Sequence, residues 1–257
     1  MSNLTSLYSL EGKTALVTGG YRGLGLSISR GLAGAGAKII LNGRSADGVE
    51  AAVEGLRKEG YDAHGAPFDI TDEKAVGQSI ENLTTNIGPI DILVNNAGIQ
   101  KRHKLEEMPV EDFRTVLEVN LTAAFIVAKA VVPGMMEREG GKVINICSLM
   151  SDLARPTTGN YAAAKGGLRM LTRAMAGEWA SSNIQVNGIG PGYFATEMTQ
   201  KLKDDPDFNS WICGRTPAGR WGMPEELQGL AVFLASGASS FVNGQVIFVD
   251  GGLTAVI

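Results

Sequence analysis

The sequence predicts an α/β fold in which a doubly wound parallel sheet of about seven strands carries helices on both faces. Short apolar runs alternate with amphipathic segments along most of the 257 residues, as strands and helices do in such folds. The strand segments are apolar throughout, which is typical of parallel strands buried on both sides. Because no Pro/Ser linker, charge block or short-period repeat interrupts this alternation, residues 1–257 are expected to form a single domain.

The predicted elements follow one another in a regular order. An apolar run at residues 13–18 (KTALVT) is the first strand, and a glycine-rich turn then opens a helix at 23–35. A second strand at 38–41, a helix at 46–59, a short third strand around 66–68 and a helix at 73–86 follow. The strand at 90–94 (IDILV) precedes a long helix at 110–138, which ends before Gly140 and Gly141. The remaining strands are 142–147 (KVINIC), 184–189 and 245–249, with helices at 160–180 and 225–235 between them.

Composition and charge argue against several classes of function. A net charge of −4 gives no reason to expect nucleic-acid binding. The N-terminus lacks a basic stretch followed by an apolar run, and no run of about 18 uninterrupted apolar residues exists, so we expect neither a signal peptide nor a membrane span. Cys147 and Cys213 form no CxxC pair and the chain has two histidines, so we expect no metal site and a reduced, cytoplasmic protein.

Four motifs directly follow predicted strands. Residues 19–25 follow the first strand, residues 95–98 the fourth, Ser148 the fifth, and residues 191–192 the sixth. In open parallel sheets, ligands bind in the crevice at the carboxyl ends of the strands. We therefore expect all four motifs at one edge of the sheet, around one ligand.

The first of these motifs is typical of a nucleotide site. The three spaced glycines of residues 19–25 permit a tight turn, and the helix that follows presents unpaired N–H groups to a pyrophosphate. The second strand ends in residues 42–44 (NGR), where an NAD site would carry Asp or Glu. Arg22 and Arg44 can pair with a 2′-phosphate, which favours NADP. NAD remains the alternative if both arginines are simply solvated.

The later motifs carry groups that are suited to proton transfer. Tyr161 and Lys165 are four residues apart, so a helix places both on one face. A neighbouring ammonium is expected to lower the pKa of the phenol toward the range of an acid–base catalyst. Ser148 can hydrogen-bond to the same substrate oxygen. Together with the nucleotide turn, these groups indicate a redox enzyme.

In order and spacing, these motifs resemble the short-chain dehydrogenase/reductase family. The resemblance covers residues 10–252 and includes TGxxxGxG at 18–25, NNAG at 95–98, YxxxK at 161–165 and PG at 191–192. It implies one Rossmann-type domain, a nicotinamide cofactor, usually a homotetramer, and a proton donated by the tyrosine of YxxxK. The catalytic residues that it implies are Asn120, Ser148, Tyr161 and Lys165.

The same resemblance implies how the cofactor is held. Asp69 and Ile70 would contact adenine, Thr196 would hold the carboxamide, and Asn120 would support a water that connects Lys165 to solvent. The complete set of implied cofactor-binding residues is Gly19, Tyr21, Arg22, Gly23, Leu24, Gly25, Arg44, Asp69, Ile70, Asn96, Ala97, Gly98, Tyr161, Lys165, Pro191, Gly192, Phe194 and Thr196.

A basic segment beside this edge of the sheet favours an acidic substrate. Residues 101–104 (KRHK) follow NNAG, and Arg155 lies in the loop before the YxxxK motif. We therefore expect a carboxylate-bearing substrate in contact with Arg102, Ser148 and Tyr161. The alternative is a solvated loop, whose charge the two following glutamates partly offset.

Three stretches narrow the expected substrate further. Residues 145–148, 192–199 and 215–222 resemble the gluconate 5-dehydrogenases of this family, which reduce 5-keto-D-gluconate, and also the 2-dehydro-3-deoxy-D-gluconate 5-dehydrogenases. A 3-oxoacyl carrier-protein reductase of the same fold is a further alternative, as is a non-catalytic nucleotide sensor, which would need only the cofactor end. Residues 193–217 are expected to be a mobile substrate lid, or else a rigid surface helix pair. The apolar faces of the two longest helices fit either subunit contacts or the core.

Overall fold

Seven strands form one parallel sheet in the computed structural model, which describes residues 4–256. The strands are β1 (Thr14–Val17), β2 (Lys38–Gly43), β3 (Ala63–Pro67), β4 (Ile92–Asn95), β5 (Gly141–Ile146), β6 (Ile184–Pro191) and β7 (Val246–Val249). Their order in the sheet is β3-β2-β1-β4-β5-β6-β7, and every neighbouring pair is parallel. The chain direction across the sheet therefore reverses between β1 and β4, which is the position where such sheets open a ligand crevice.

Helices cover both faces of the sheet, as the alternation of the sequence predicts. The helices are α1 (Leu4–Leu7), α2 (Gly23–Gly34), α3 (Ala46–Lys58), α4 (Glu73–Asn86), α5 (Val110–Leu117), α6 (Ala123–Glu137), α7 (Gly159–Trp179), α8 (Gln200–Lys203), α9 (Pro206–Arg215) and α10 (Gln228–Ala235). One core cluster joins α2, α3 and α10 to the sheet, and the other joins α4, α6 and α7. Ala15 and Val17 of β1 belong to the first cluster and Leu16 to the second, because successive side chains of a strand point to opposite faces.

Most predicted elements agree with the structure to within two residues, and three differ in informative ways. The third strand covers residues 63–67 rather than 66–68, because its position is set by pairing with β2, from Ile39 opposite Ala63 to Gly43 opposite Pro67. The predicted helix at 110–138 contains a π-turn, Glu118–Thr122, between α5 and α6. The predicted helix at 225–235 begins as a 3-10 turn, Pro224–Leu227, before α10.

The helix over residues 110–137 is long and apolar enough, by length and composition alone, to cross a membrane. In this structure 44% of its most apolar window is buried inside the protein. Its buried residues, among them Val127, Val131 and Met135, belong to the core cluster on one face of the sheet. The helix therefore packs as a core helix of the α/β fold.

Candidate active site

A cavity of about 1220 Å³ opens along the carboxyl ends of the strands. Every residue predicted to bind the cofactor lines this cavity, from Gly19 after β1 to Thr196 after β6. Ser148, Tyr161 and Lys165 line it as well. Of the predicted site residues, Asn120 and Arg102 lie outside its lining. The structure thus brings the four motifs together at one edge, as their positions after the strands predict.

The glycine turn is held open by the loop that follows β4. Asn96 donates from its side-chain amide to the carbonyls of Thr18 and Gly19, at 2.9 and 3.0 Å. The Thr18 hydroxyl accepts from the backbone N–H of Asn96 and Ala97, at 3.0 and 3.2 Å. A Cβ at Gly25 would overlap the Asn96 amide, and Gly19 adopts a left-handed backbone (φ 59°), so this turn requires glycine at both positions. The result is a cradle, a glycine turn that lines the cavity and whose backbone Asn96 and Thr18 fix.

Arg44 follows the end of β2, where the ribose of a dinucleotide would be read, and Arg22 lies in the glycine turn after β1. Arg44 is exposed and directly follows the strand. The pKa of Asp69 is lowered, mainly by the hydrogen bonds that Thr71 donates to its carboxylate and to a smaller extent by the charge of Arg44. Arg22 lies 5.4 Å from the centroid of the Tyr21 ring and 3.9 Å from an exposed glutamate of the later loop. Because an exposed ion pair of this kind contributes little, the Arg22 guanidinium is available to an anionic ligand.

The three catalytic candidates converge from two elements. Ser148 lies just beyond β5 and opens a short turn, with its hydroxyl accepting from the N–H of Met150 at 3.2 Å. Tyr161 and Lys165 lie on successive turns of α7, and the Ser148 side chain lies close enough to the Tyr161 phenol to lower its pKa. Lys165 is 3% exposed and donates to the carbonyl of Ile146 at 2.6 Å. A hydroxyl, a phenol and an ammonium therefore face one region of the cavity.

The expected effect of Lys165 on the phenol is wrong for this structure. Burial raises the pKa of Tyr161, and the nearby Ser148 side chain opposes that shift only in part. The ammonium of Lys165 is directed at the Ile146 carbonyl and lies 5.7 Å from the centroid of the Tyr161 ring. Burial also lowers the pKa of Lys165 to about 8. At neutral pH the phenol therefore keeps its proton while the lysine keeps its charge.

Asn120 occupies a different position from the other catalytic candidates. It lies in the π-turn of the long helix, is 1% exposed, and binds the backbone of Ile99 twice. Its amide donates to the Ile99 carbonyl at 2.9 Å, and its side-chain oxygen accepts from the Ile99 N–H at 2.8 Å. The side chain thus fixes the segment after NNAG from behind the cavity wall.

Three of the four residues of the basic segment after NNAG contact carboxylates. Lys101 and His103 both contact the carboxylate of Asp112, at 2.6 and 2.8 Å, and Lys104 contacts Glu107 at 3.4 Å. Asp112 lies on α5, so this pairing depends on the tertiary fold. Among the described residues no carboxylate lies within 4.0 Å of Arg102, which leaves it as the one unpaired cation of the four.

Residues 193–217 form one side of the cavity through Phe194 and residues 196–199. They include two short helices, α8 and α9, as the alternative interpretation of this segment as a helix pair expects. Tyr193 packs against the rings of Phe208 and Trp221, with centroids 5.7 Å apart in each case. These rings belong to an apolar cluster that includes Leu149, the residue after Ser148. This segment is thereby packed directly against the turn that carries Ser148.

One wall of the cavity was missed by sequence reasoning. Residues of α5 and of the π-turn line it, among them Phe113, Arg114, Leu117 and Val119. No motif marks these positions, because they read as an ordinary amphipathic helix.

The fold and this site together define an oxidoreductase that uses a nicotinamide dinucleotide and acts on a CH–OH group. A family model described as enoyl-(acyl carrier protein) reductase matches residues 19–254. The chain belongs to the short-chain dehydrogenase/reductase family, as its motifs indicate.

Individual relatives match almost the whole chain. A 5-keto-D-gluconate 5-reductase of Escherichia coli is 52% identical over 99% of this chain and 100% of that protein. A 2-dehydro-3-deoxy-D-gluconate 5-dehydrogenase of Formosa agariphila is 53% identical over 98% of this chain and 96% of that protein. The crystal structure of a gluconate 5-dehydrogenase from Burkholderia cenocepacia, in complex with NADP and tartrate, matches with a TM-score of 0.97 at 49% identity, covering 99% of this chain and 100% of that one.

Proposed function

We propose that the chain is an NADP-dependent oxidoreductase that interconverts 5-keto-D-gluconate and D-gluconate. The observation that carries this proposal is the 52% identity to a 5-keto-D-gluconate 5-reductase over the full length of both chains. The site agrees with it, because a nucleotide cradle and a proton-donating phenol open onto one cavity beside an unpaired arginine.

The cavity fits a phosphorylated dinucleotide. The glycine turn lines the cavity, and helix α2 begins at Gly23, so the first N–H groups of that helix are available to a pyrophosphate. Arg44 stands where an acidic residue would favour NAD, Arg22 lies in the glycine turn, and two guanidinium groups suit a 2′-phosphate. The gluconate 5-dehydrogenase from Burkholderia cenocepacia was crystallised with NADP, which supports the same choice, with NAD as the alternative. When bound, this cofactor supplies hydride to the ketone carbon and accepts it in the reverse direction.

The phenol of Tyr161 supplies the proton in ketone reduction. Its raised pKa keeps it protonated at neutral pH, which suits a donor in the reductive direction. The Ser148 hydroxyl, which lies near that phenol, stabilises the substrate oxygen as negative charge develops there. The charge of Lys165 favours the phenolate that remains once the proton has left. Asn120 acts from behind by fixing the segment after NNAG, and the water that it would support connects Lys165 to solvent.

The remaining expectations concern substrate access and assembly. Arg102 is free to bind the carboxylate of a sugar acid, and residues 193–217 act as its lid, because they line the cavity and pack against the Ser148 turn. A homotetramer agrees with exposed apolar side chains on α6 and α7, where Phe125 is 45% and Met170 is 58% exposed. A cytoplasmic location agrees with two cysteines that are both free.

A second candidate substrate is 2-dehydro-3-deoxy-D-gluconate or its 5-keto form, since a dehydrogenase of that name is 53% identical to this chain. Initial rates of reduction by NADPH and by NADH, measured with 5-keto-D-gluconate, the 5-keto form of the deoxy acid and an acetoacetyl thioester, separate the alternatives. The proposal expects the highest kcat/KM for NADPH with 5-keto-D-gluconate. A higher value for the deoxy acid or the thioester would replace the proposed substrate, and no turnover with any ketone would leave a nucleotide sensor.

A further inference from the structure

Two arginines without carboxylate partners, Arg102 and Arg155, lie on neighbouring segments that precede Tyr161 in the chain, and neither is among the residues that line the cavity. The segments that carry them are tied together, since the N–H of His103 donates to the Thr157 carbonyl at 3.2 Å and the Asn160 amide donates to the Lys101 carbonyl at 2.9 Å. These bonds set Arg102 next to the loop of Arg155. Repulsion from Arg155 lowers the pKa of Arg102, as does partial burial, which has the larger effect.

Three acidic side chains of this region already bind other cationic residues. Asp112 holds Lys101 and His103, and Glu107 holds Lys104. Asp152, three residues before Arg155, forms an ion pair with Arg169 of α7. Among the described residues no carboxylate lies within 4.0 Å of either guanidinium. The two like charges therefore lack a counter-anion, and an anion bound between them would relieve their repulsion.

Arg155 also contacts the lid segment, residues 193–217. Its guanidinium carbon lies 5.1 Å from the centroid of the Phe208 ring on α9. That ring packs on Tyr193, whose side chain lies near both Arg102 and Tyr161. The Thr158 hydroxyl donates to the Arg155 carbonyl at 2.8 Å, which fixes the backbone of the loop. The Arg155 side chain therefore spans from the loop after Ser148 to the lid segment.

We propose that Arg155 is a specificity-determining residue whose guanidinium, together with that of Arg102, binds the substrate carboxylate and joins it to the lid segment through Phe208. This inference rests on the proposed function and names how that site selects sugar acids over neutral sugars. Two guanidinium groups can donate to both oxygens of one carboxylate, whereas the alcohol of a neutral ketose offers neither charge nor a second acceptor.

The test compares an acid with its neutral counterpart in Arg155→Gln and Arg155→Lys. Steady-state rates are measured with NADPH and either 5-keto-D-gluconate or L-sorbose, which carries an alcohol in place of the carboxylate. Arg155→Gln should raise the KM for the acid by about 10- to 100-fold, as expected for a lost charged pair, and change kcat/KM for L-sorbose less than about threefold. Arg155→Lys should be intermediate, because it keeps the charge but not the planar fork. Phe208→Leu should raise the KM for the acid severalfold.

Arg173→Gln is the matched control, since Arg173 is an exposed arginine further along α7. This variant should leave the KM and kcat/KM for both substrates unchanged. Unchanged NADPH affinity, measured by fluorescence titration, shows that the Arg155 variants are folded. An equal loss of kcat/KM for the acid and for the neutral ketose in Arg155→Gln, or no change in the KM for the acid, would overturn the inference.

Binding separates this inference from the proposed function. Calorimetry of the NADPH-saturated protein with D-gluconate and with D-glucitol requires no turnover. If the wild type does not reduce 5-keto-D-gluconate, the proposed function is wrong. The inference still requires that Arg155→Gln lower the affinity for D-gluconate at least tenfold and leave the affinity for D-glucitol unchanged. A wild type that binds both equally, or binds neither, would overturn the inference as well.

Discussion

Replacing Lys165 with methionine tests how this buried ammonium is held. Burial lowers its pKa from 10.5 to about 8, so the folded protein binds this proton more weakly than the unfolded chain does. At neutral pH the group stays charged in both states, and the shift corresponds to a destabilisation of about 3 kcal/mol. This cost is present in full below pH 8 and fades as the pH rises from 8 toward 10.5. Methionine carries no proton and removes the cost at every pH.

The stability of Lys165→Met relative to wild type should therefore fall with pH. From pH 7 to pH 9.5 the free energy of unfolding of the wild type should rise by about 2 kcal/mol relative to that of Lys165→Met. Loss of the hydrogen bond to the Ile146 carbonyl costs about 1–3 kcal/mol and contributes a similar offset at both pH values. The pH dependence, and not the sign of the difference at one pH, thus carries the test.

Denaturant unfolding at one fixed protein concentration measures both free energies. Lys142→Met is the matched control, because burial lowers the pKa of Lys142 to about 8 as well, and this lysine lies at the opposite end of β5 from the cavity. Both variants should show the same direction of pH dependence, while only Lys165→Met should lose reductase activity. A stability difference for Lys165→Met that stays constant from pH 7 to pH 9.5 would refute the desolvation argument.

Other substitutions test separate parts of the site. In initial-rate measurements, the double variant Arg22→Gln and Arg44→Gln should raise the KM for NADPH about 10- to 100-fold and leave the KM for NADH unchanged. An equal rise in the KM for both cofactors would exclude a contact with the 2′-phosphate. Gly25→Ala places a Cβ on the amide that clamps the glycine turn, so NADPH affinity in a fluorescence titration should fall at least tenfold; undiminished affinity would show that the cradle can yield. Asn120→Ala removes two buried hydrogen bonds to Ile99 and should cost about 2 kcal/mol in denaturant unfolding, and no loss would mean that the segment after NNAG is held by other contacts.

The fold and the cofactor-binding end could be predicted because both depend on local sequence patterns. Apolar runs that alternate with amphipathic segments indicate a sheet buried on two faces, and a glycine turn after a strand indicates a backbone conformation that favours glycine. The strand at 63–67 (AHGAP) has no such pattern. It is a half-exposed edge strand with a glycine and a proline, and pairing with β2 decides where it begins.

What the sequence could not supply depends on contacts between distant residues. The charge of residues 101–104 looked like a cluster, but Asp112 on the following helix binds both Lys101 and His103. The phenol of Tyr161 was expected to be acidified by the lysine one turn away. In the folded chain that ammonium is drawn to the Ile146 carbonyl, and burial raises the pKa of the phenol instead. Neither outcome can be read from spacing along one helix.

The central claim is that the Tyr161 phenol delivers the proton when the ketone is reduced. Turnover of 5-keto-D-gluconate by Tyr161→Phe, with NADPH affinity measured on the same sample, tests it most directly. The variant should bind NADPH as the wild type does and lose about 100- to 10,000-fold in kcat, the contribution typical of a positioned acid. A kcat near that of the wild type would contradict the assignment.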